Sequence, residues 1–290
     1  MKDLVIIAAN GDTYSLYGTS GSIHPVFLDG VGMPVINRAL EKSPLQHGAS
    51  DRGFRLDVRQ MILQIHLENE AEPETDATRD FITNVFAPTN EPLKLRVTRD
   101  DDAVRQIDCF VTGLVDYPQS IRKGAGQPIT IPLVAPDPIF YDPTEQESTG
   151  SITSGTLDIT INLDGYTWDE WPIIEVTGPI TDLTIIHSVQ PGGPTVEEIT
   201  LDGEIPSGET WTFDLRPGVK TLRRNSDSAN RMSFVDPDTV SAFATMRILS
   251  TKTATTYDPG TVSNRFRFQG TSTDANSAAS ITWYKRYLSL

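Results

Sequence analysis

Short runs of alternating apolar and polar residues, separated by glycine and proline, recur along the whole 290-residue chain. Leu157, Ile159 and Ile161 share one face of such a run, and Leu63 and Ile65 share one face of another. A period of two is typical of β-strands, because successive side chains point to opposite faces. The 21 glycines and 20 prolines suit the turns between strands. The sequence therefore predicts a mainly β protein and not a helical bundle.

One segment of the first half departs from this period. Ile82, Val85 and Phe86 lie at helical spacing, which predicts an α-helix from about residue 75 that ends before Pro88. The preceding residues 54–67 alternate in two halves and predict one long strand, which either has a central bulge or is buried on both faces. The first half is therefore predicted to be a β-domain with one helix.

Two turns in this half carry clear signals. Asn10-Gly11-Asp12 predicts a hairpin between two short strands. Arg99-Asp100-Asp101-Asp102 predicts the tip of a second hairpin. It does not match a calcium loop, which spaces its oxygen ligands at alternate positions and closes with glutamate.

A proline-rich segment near the middle of the chain predicts a domain boundary. Pro136, Pro138 and Pro143 lie close together, and the polar residues 144–151 follow. We expect a first domain over 1–143 and a second over 144–290. The short strands and regular turns of the second half predict a galectin-like or jelly-roll β-sandwich.

The charge of the chain narrows the partners that it can have. The formal net charge is −15, with 13 basic and 21 acidic residues in 1–145 and 11 and 18 in 146–290. Acidity spread over both halves disfavours binding to nucleic acid and to anionic membranes. The sequence also has no apolar stretch approaching the ~20 residues of a membrane span, so we expect folding in the cytoplasm.

Residues that could carry catalysis are sparse and scattered. The single cysteine, Cys109, lies in an apolar run and fits a buried hydrophobic position. The chain has four histidines, and no two lie within five residues of each other: His24, His47, His66 and His187. A phosphate-binding loop, a dinucleotide-binding glycine pattern and a nucleophile elbow are all missing from the sequence. We therefore expect no enzyme, no cofactor, no metal and no catalytic residue.

Tryptophan provides one candidate binding feature. Trp168-Asp169-Glu170-Trp171 places two indoles beside two carboxylates just before a strand. A structural role at the edge of the sandwich is one interpretation. Carbohydrate contact is a second, and a glycosidase carboxylate pair is a third. The residues assigned to carbohydrate contact are Trp168, Trp171, Trp211 and Trp283.

Several segments occur together in an order that suggests a family. They are Gly30-Val31-Gly32-Met33-Pro34, Arg59-Gln60-Met61-Ile62-Leu63, residues 105–113, residues 135–141, residues 171–179, Phe266-Arg267-Phe268 and residues 281–287. Their succession, with one helix between the second and third, resembles the distal tail (Dit) proteins of siphophages. The likeness spans most of the chain and depends on the order of the segments.

The resemblance implies a function as well as a fold. Distal tail proteins form hexameric rings at the end of the tail tube, with the first domain in the ring and the second pointing outward. The resemblance implies a virion tail-tip protein whose partners are the tail tube, the tape-measure protein and the tail-associated baseplate protein. A receptor-binding protein or a host glycan would be a further partner. Carbohydrate-binding adhesion through the second domain remains the alternative function.

Overall fold

The structure is a computed structural model of the chain. It describes residues 1–16, 23–42, 47–67, 72–113, 115, 127–162, 165, 167–189, 195–251, 253 and 263–290. These residues form two compact units. The first contains Met1–Pro143 and Tyr287–Leu290, and the second contains Thr144–Arg286.

The first unit contains ten strands and one helix up to the point where the chain leaves it. They are β1 (Asp3–Ile7), β2 (Thr13–Ser15), β3 (Ile23–Asp29), β4 (Ile36–Glu41), β5 (Ser50–Leu56), β6 (Arg59–Leu67), α1 (Glu72–Val85), β7 (Leu93–Thr98), β8 (Val104–Val111), β9 (Gln127–Ala135) and β10 (Phe140–Tyr141).

The second unit begins with β11 (Gln146–Ser151), β12 (Thr156–Asn162), β13 (Ile173–Thr177), β14 (Ile180–Ser188), β15 (Thr195–Thr200), β16 (Glu204–Ile205), β17 (Thr210–Asp214) and β18 (Thr221–Arg224). A 3-10 turn at Met232–Phe234, the short helix α2 (Val240–Thr245), β19 (Ser263–Thr271) and β20 (Ala278–Trp283) follow. The last strand, β21 (Arg286–Tyr287), returns to pair with β10.

An antiparallel sheet in the order β2-β1-β7-β8-β9-β6-β3 forms most of the first unit, and β10 pairs with β8. Alternate residues of these strands are buried, among them Leu95, Ile107 and Ile131 at 0% exposure. Ile82 and Phe86 pack against the same core from α1 and the residue after it. The predicted β-domain with one helix is therefore confirmed.

Two sheets make up the second unit, in the orders β11-β20-β13-β17-β18 and β12-β19-β14-β15. Ile174 and Phe213 of the first sheet share one core with Phe266 and Phe268 of the second, which is the arrangement of a β-sandwich. The mainly β class is thus confirmed, and a galectin-like topology remains a prediction. The helix α2 was not expected, because six residues are too few for a helical period.

The prediction of a single strand over residues 54–67 is wrong. The chain breaks at Asp57 and Val58, so that β5 pairs with β4 while β6 pairs with β3 and β9. The amide of Asp57 donates to the carbonyl of Val35 at 2.9 Å. This hydrogen bond directs the chain at Asp57 away from the strands that pair with β6. The two predicted turns are confirmed, because Gly11 adopts a φ of 88° between β1 and β2, and residues 99–103 close the hairpin between β7 and β8.

A buried arginine at the start of β6 fixes the loops of the first unit. Arg59 is only 2% exposed, and burial lowers its pKa to about 10. Its guanidinium donates at 2.5–2.7 Å to the carbonyl oxygens of Gly30, Gly32, Pro138 and Leu288. One side chain therefore joins the loop after β3, the segment before β10 and the segment after β21.

Candidate assembly surface

The strands β4 and β5 form a two-stranded hairpin that pairs with no other strand in the described part of the chain. Its register places Ile36 opposite Leu56 and Arg38 opposite Phe54, with a bulge between Arg38 and Leu40. We call these two strands, with residues 33–35 and 57–58 beside them, the arm. Almost every described side chain of the arm's strands is exposed to solvent on both faces of the hairpin.

Large apolar side chains are prominent on this arm. Met33, Val35 and Leu40 are each 63% exposed, and Phe54 is 52% exposed. A two-stranded hairpin is marginally stable alone in water, and its unpaired edges invite pairing with another chain. Several large, exposed apolar side chains on such a hairpin are typical of a protein-binding surface.

Ion pairs within the hairpin hold its shape. Arg52 pairs with Glu41 at 2.5 Å, and Arg38 pairs with Asp51 across the strands. The Arg38 guanidinium also lies 5.6 Å from the centre of the Phe54 ring. Two of the arm's arginines thus pair with carboxylates of the same hairpin.

A cavity of about 470 Å³ lies elsewhere in the first unit. Leu28, Val31 and Val97 give it apolar walls, and Asp100 and Asp101 lie at its border. The acidic tip predicted between β7 and β8 therefore borders an apolar recess. Such a recess suits an apolar side chain of a partner protein better than a polar metabolite.

The four candidate tryptophans differ in how far they are buried. Trp211 and Trp283 are 2% and 8% exposed and belong to the core of the second unit. The Trp211 ring packs edge-on against Phe234, with centroids 5.1 Å apart. Trp168 and Trp171 are half-buried, and Trp171 packs against the core. Carbohydrate contact at these residues stays a prediction.

The carboxylates between Trp168 and Trp171 contact cations of the same unit. Asp169 accepts from Nε of Arg247 at 2.9 Å and from the amide of Ser250 at 2.7 Å. Glu170 is buried, 3.1 Å from the guanidinium of Arg286. Both carboxylates thus take part in internal ion pairs, as is typical of a structural role.

Two further groups are enclosed in apolar surroundings. Cys109 is fully buried, and burial raises its pKa to about 12, so the thiol is inert. In the second unit, His187 packs on Phe266 and lies 2.8 Å from Oδ1 of Asn264. That oxygen also accepts from the amide of Leu249, so Nε2 of His187 is the donor. Burial lowers the pKa of His187 to about 4, which favours the neutral ring.

Sequence spacing did not reveal one pair of histidines. His24 of β3 and His66 of β6 lie directly opposite each other in the antiparallel ladder. No group of three or more histidine, cysteine or acidic residues is placed to hold a metal ion among the residues that the structure describes. Within the same residues, no helix combines the length and apolar character needed to cross a membrane.

No family model and no curated protein matches this sequence. The fold nevertheless matches solved phage structures. The crystal structure of SPP1 Dit, described as a paradigm of the hub adsorption apparatus in phages that infect Gram-positive bacteria, matches with a TM-score of 0.65. The two chains are 9% identical, and the match covers 98% of this chain and 99% of SPP1 Dit.

A second match is a chain of the phage P2 baseplate in its activated conformation with Ca, with a TM-score of 0.50 and 9% identity over 99% of both chains. The same baseplate with Sr matches at 0.50 and 10% identity. At such low identity the likeness concerns the fold. At that level, the resemblance to distal tail and baseplate hub proteins is confirmed.

Proposed function

We propose that this chain is a structural, non-enzymatic component of a siphophage tail tip. Copies of the chain would close into a ring, which we expect to be hexameric, between the tail tube and the baseplate. The fold shared with SPP1 Dit over nearly the full length supports this proposal. The observation that carries it is the exposed arm, because a single copy provides no described partner strand for β4 and β5.

The arm would act by docking on a neighbouring copy. Leu40 and Phe54 remain more than half exposed in one copy, and burying each fully contributes roughly 1.5–3 kcal/mol relative to full exposure. Ring closure repeats this contact at every interface, and a closed ring leaves no unpaired edge. The repetition makes the assembly stable even though each contact is small.

The remaining partners follow from the position of such a ring. We propose contacts with the tail tube protein, the tape-measure protein and the tail-associated baseplate protein. The second unit would contact a receptor-binding protein or a host glycan. The protein would assemble in the host cytoplasm and remain in the virion.

Light scattering after size exclusion, with negative-stain imaging, tests the ring. We expect the wild-type chain to form rings and Phe54→Ser to shift the population toward monomers. Val219→Ser is the matched control, because Val219 is 45% exposed in the second unit, away from the arm. A wild-type chain that stays monomeric at high concentration would contradict the proposal, as would a Phe54→Ser chain that assembles normally.

A further inference from the structure

The cross-strand pair His24 and His66 lies on one face of the first unit's sheet. The register places Ile23 opposite Leu67, His24 opposite His66, and Pro25 opposite Ile65. Directly opposite residues of an antiparallel pair share a face. Ile65 is 0% exposed and points into the core, so His66 points away from it. His24 is exposed, so the pair lies at the surface of the sheet.

The geometry of such a pair suits two ligands of one metal ion. The Cβ atoms of directly opposite residues are about 4.5–5.5 Å apart. Two imidazole nitrogens that share an ion each lie about 2.0–2.1 Å from it. Rotation about two side-chain bonds in each histidine covers that span. We propose that His24 and His66 form a two-imidazole site for a borderline transition-metal ion such as Cu²⁺ or Zn²⁺.

The type of ligand favours this class of ion over hard cations. On the other side of β6, strand β9 places Pro128 opposite His66 and Gln127 opposite Leu67. Neither residue carries a charge, so the described neighbours in the ladder supply no carboxylate for Ca²⁺ or Mg²⁺. Imidazole nitrogens suit copper, zinc and nickel.

A metal ion bound by this histidine pair would stabilise the β3 edge of the sheet. β3 is the last strand of the order β2-β1-β7-β8-β9-β6-β3, so among the described strands it pairs only with β6. An ion shared by His24 and His66 cross-links β3 to β6 and stabilises the folded unit by mass action. Both imidazole ligands come from one copy of the chain, so the site does not depend on ring formation.

Electron paramagnetic resonance of Cu²⁺ added to the untagged full-length chain tests the site directly. We expect nitrogen couplings from two imidazoles in the wild-type protein. Calorimetric titration with Zn²⁺ measures affinity, with Mg²⁺ as the ion that should not bind. His24→Gln and His66→Gln should each weaken Zn²⁺ binding by at least about 10-fold, because even the loss of an outer-shell partner costs about 10–100-fold. The matched control is His47→Gln, which removes an exposed histidine from outside β3 and β6 and should leave the affinity unchanged.

The outcomes separate the proposal from adventitious binding. Equal Zn²⁺ affinity in the wild type and in both variants would overturn it, and so would a spectrum with a single coordinated imidazole. Failure of both ions to bind the folded wild-type chain would also overturn it. The wild-type spectrum decides the question even if a variant folds poorly.

Discussion

Replacing Arg59 with methionine tests whether one buried guanidinium holds the loops of the first unit. The substitution keeps an apolar stem of similar length and removes four donated hydrogen bonds. A hydrogen bond to a charged group contributes about 1.5–3 kcal/mol, and a buried acceptor left unpaired costs about 1–3 kcal/mol. Relief of the buried charge, which already lowers the pKa of Arg59 to about 10, offsets part of the loss.

We therefore expect Arg59→Met to lower the free energy of unfolding by about 4 kcal/mol, a large fraction of the 5–15 kcal/mol typical of a domain. Arg59→Lys should lose about half as much, because an ammonium has three donors for four carbonyl oxygens. For Arg59→Met, the midpoint of the thermal transition should fall by roughly 10 °C in a unit of this size.

Differential scanning calorimetry with urea unfolding measures both quantities. Only the transition of the first unit should move, since Arg59 and its four acceptors all belong to that unit. Arg223→Met is the control, because Arg223 is exposed in the second unit and should change stability by less than about 0.5 kcal/mol. An Arg59→Met chain within about 1 kcal/mol of the wild type would refute the reasoning, because its four acceptors would then be satisfied by water.

Three further predictions test other parts of the two units. Gly30→Ala should destabilise the first unit by more than the roughly 1–2 kcal/mol of backbone strain expected for Gly11→Ala in urea unfolding. Both glycines have positive φ, but only at Gly30 would an added Cβ meet a backbone carbonyl oxygen, at 2.1 Å; equal losses would contradict this. Burial lowers the pKa of His187 from 6.5 to about 4, so the second unit should lose roughly 3 kcal/mol as pH falls through that window. His187→Gln should flatten this loss, and an unchanged pH profile would argue against it. Trp211→Ala should lower the free energy of unfolding by about 3–5 kcal/mol, as is usual for a core tryptophan, and Trp168→Ala should lower it by less. Thermal unfolding measures both losses, and equal losses would contradict the difference in burial between the two residues.

The sequence predicts the class of the fold well because burial imposes a period on each strand. Alternation at Leu157, Ile159 and Ile161 persists in β12, where Ile159 and Ile161 are buried. The same signal misleads at residues 54–67, since a period says that a face is apolar but not which strand covers it. Phe54 is such a case, because it alternates like a core residue and lies exposed on the arm.

Features that depend on pairing between distant segments could not be predicted. The opposition of His24 and His66 follows from a register that shifts between Pro25 and Phe27, and nothing local fixes that shift. The burial of Arg59 is equally hidden, because a charged residue before an apolar run normally indicates a strand end. Its four carbonyl partners come from three separate segments, so only the folded chain reveals that they converge.

The return of the chain to the first unit has a consequence for how the second unit can be exchanged by recombination. The chain leaves the sheet after β10 and rejoins it at β21, and these two strands pair with each other. A segment whose ends are neighbours can be exchanged as a cassette, because any replacement with adjacent ends reconnects the same sheet. Recombination between the codons of β10 and β21 could thus supply a new second unit while the arm, Arg59 and its acceptors are inherited unchanged.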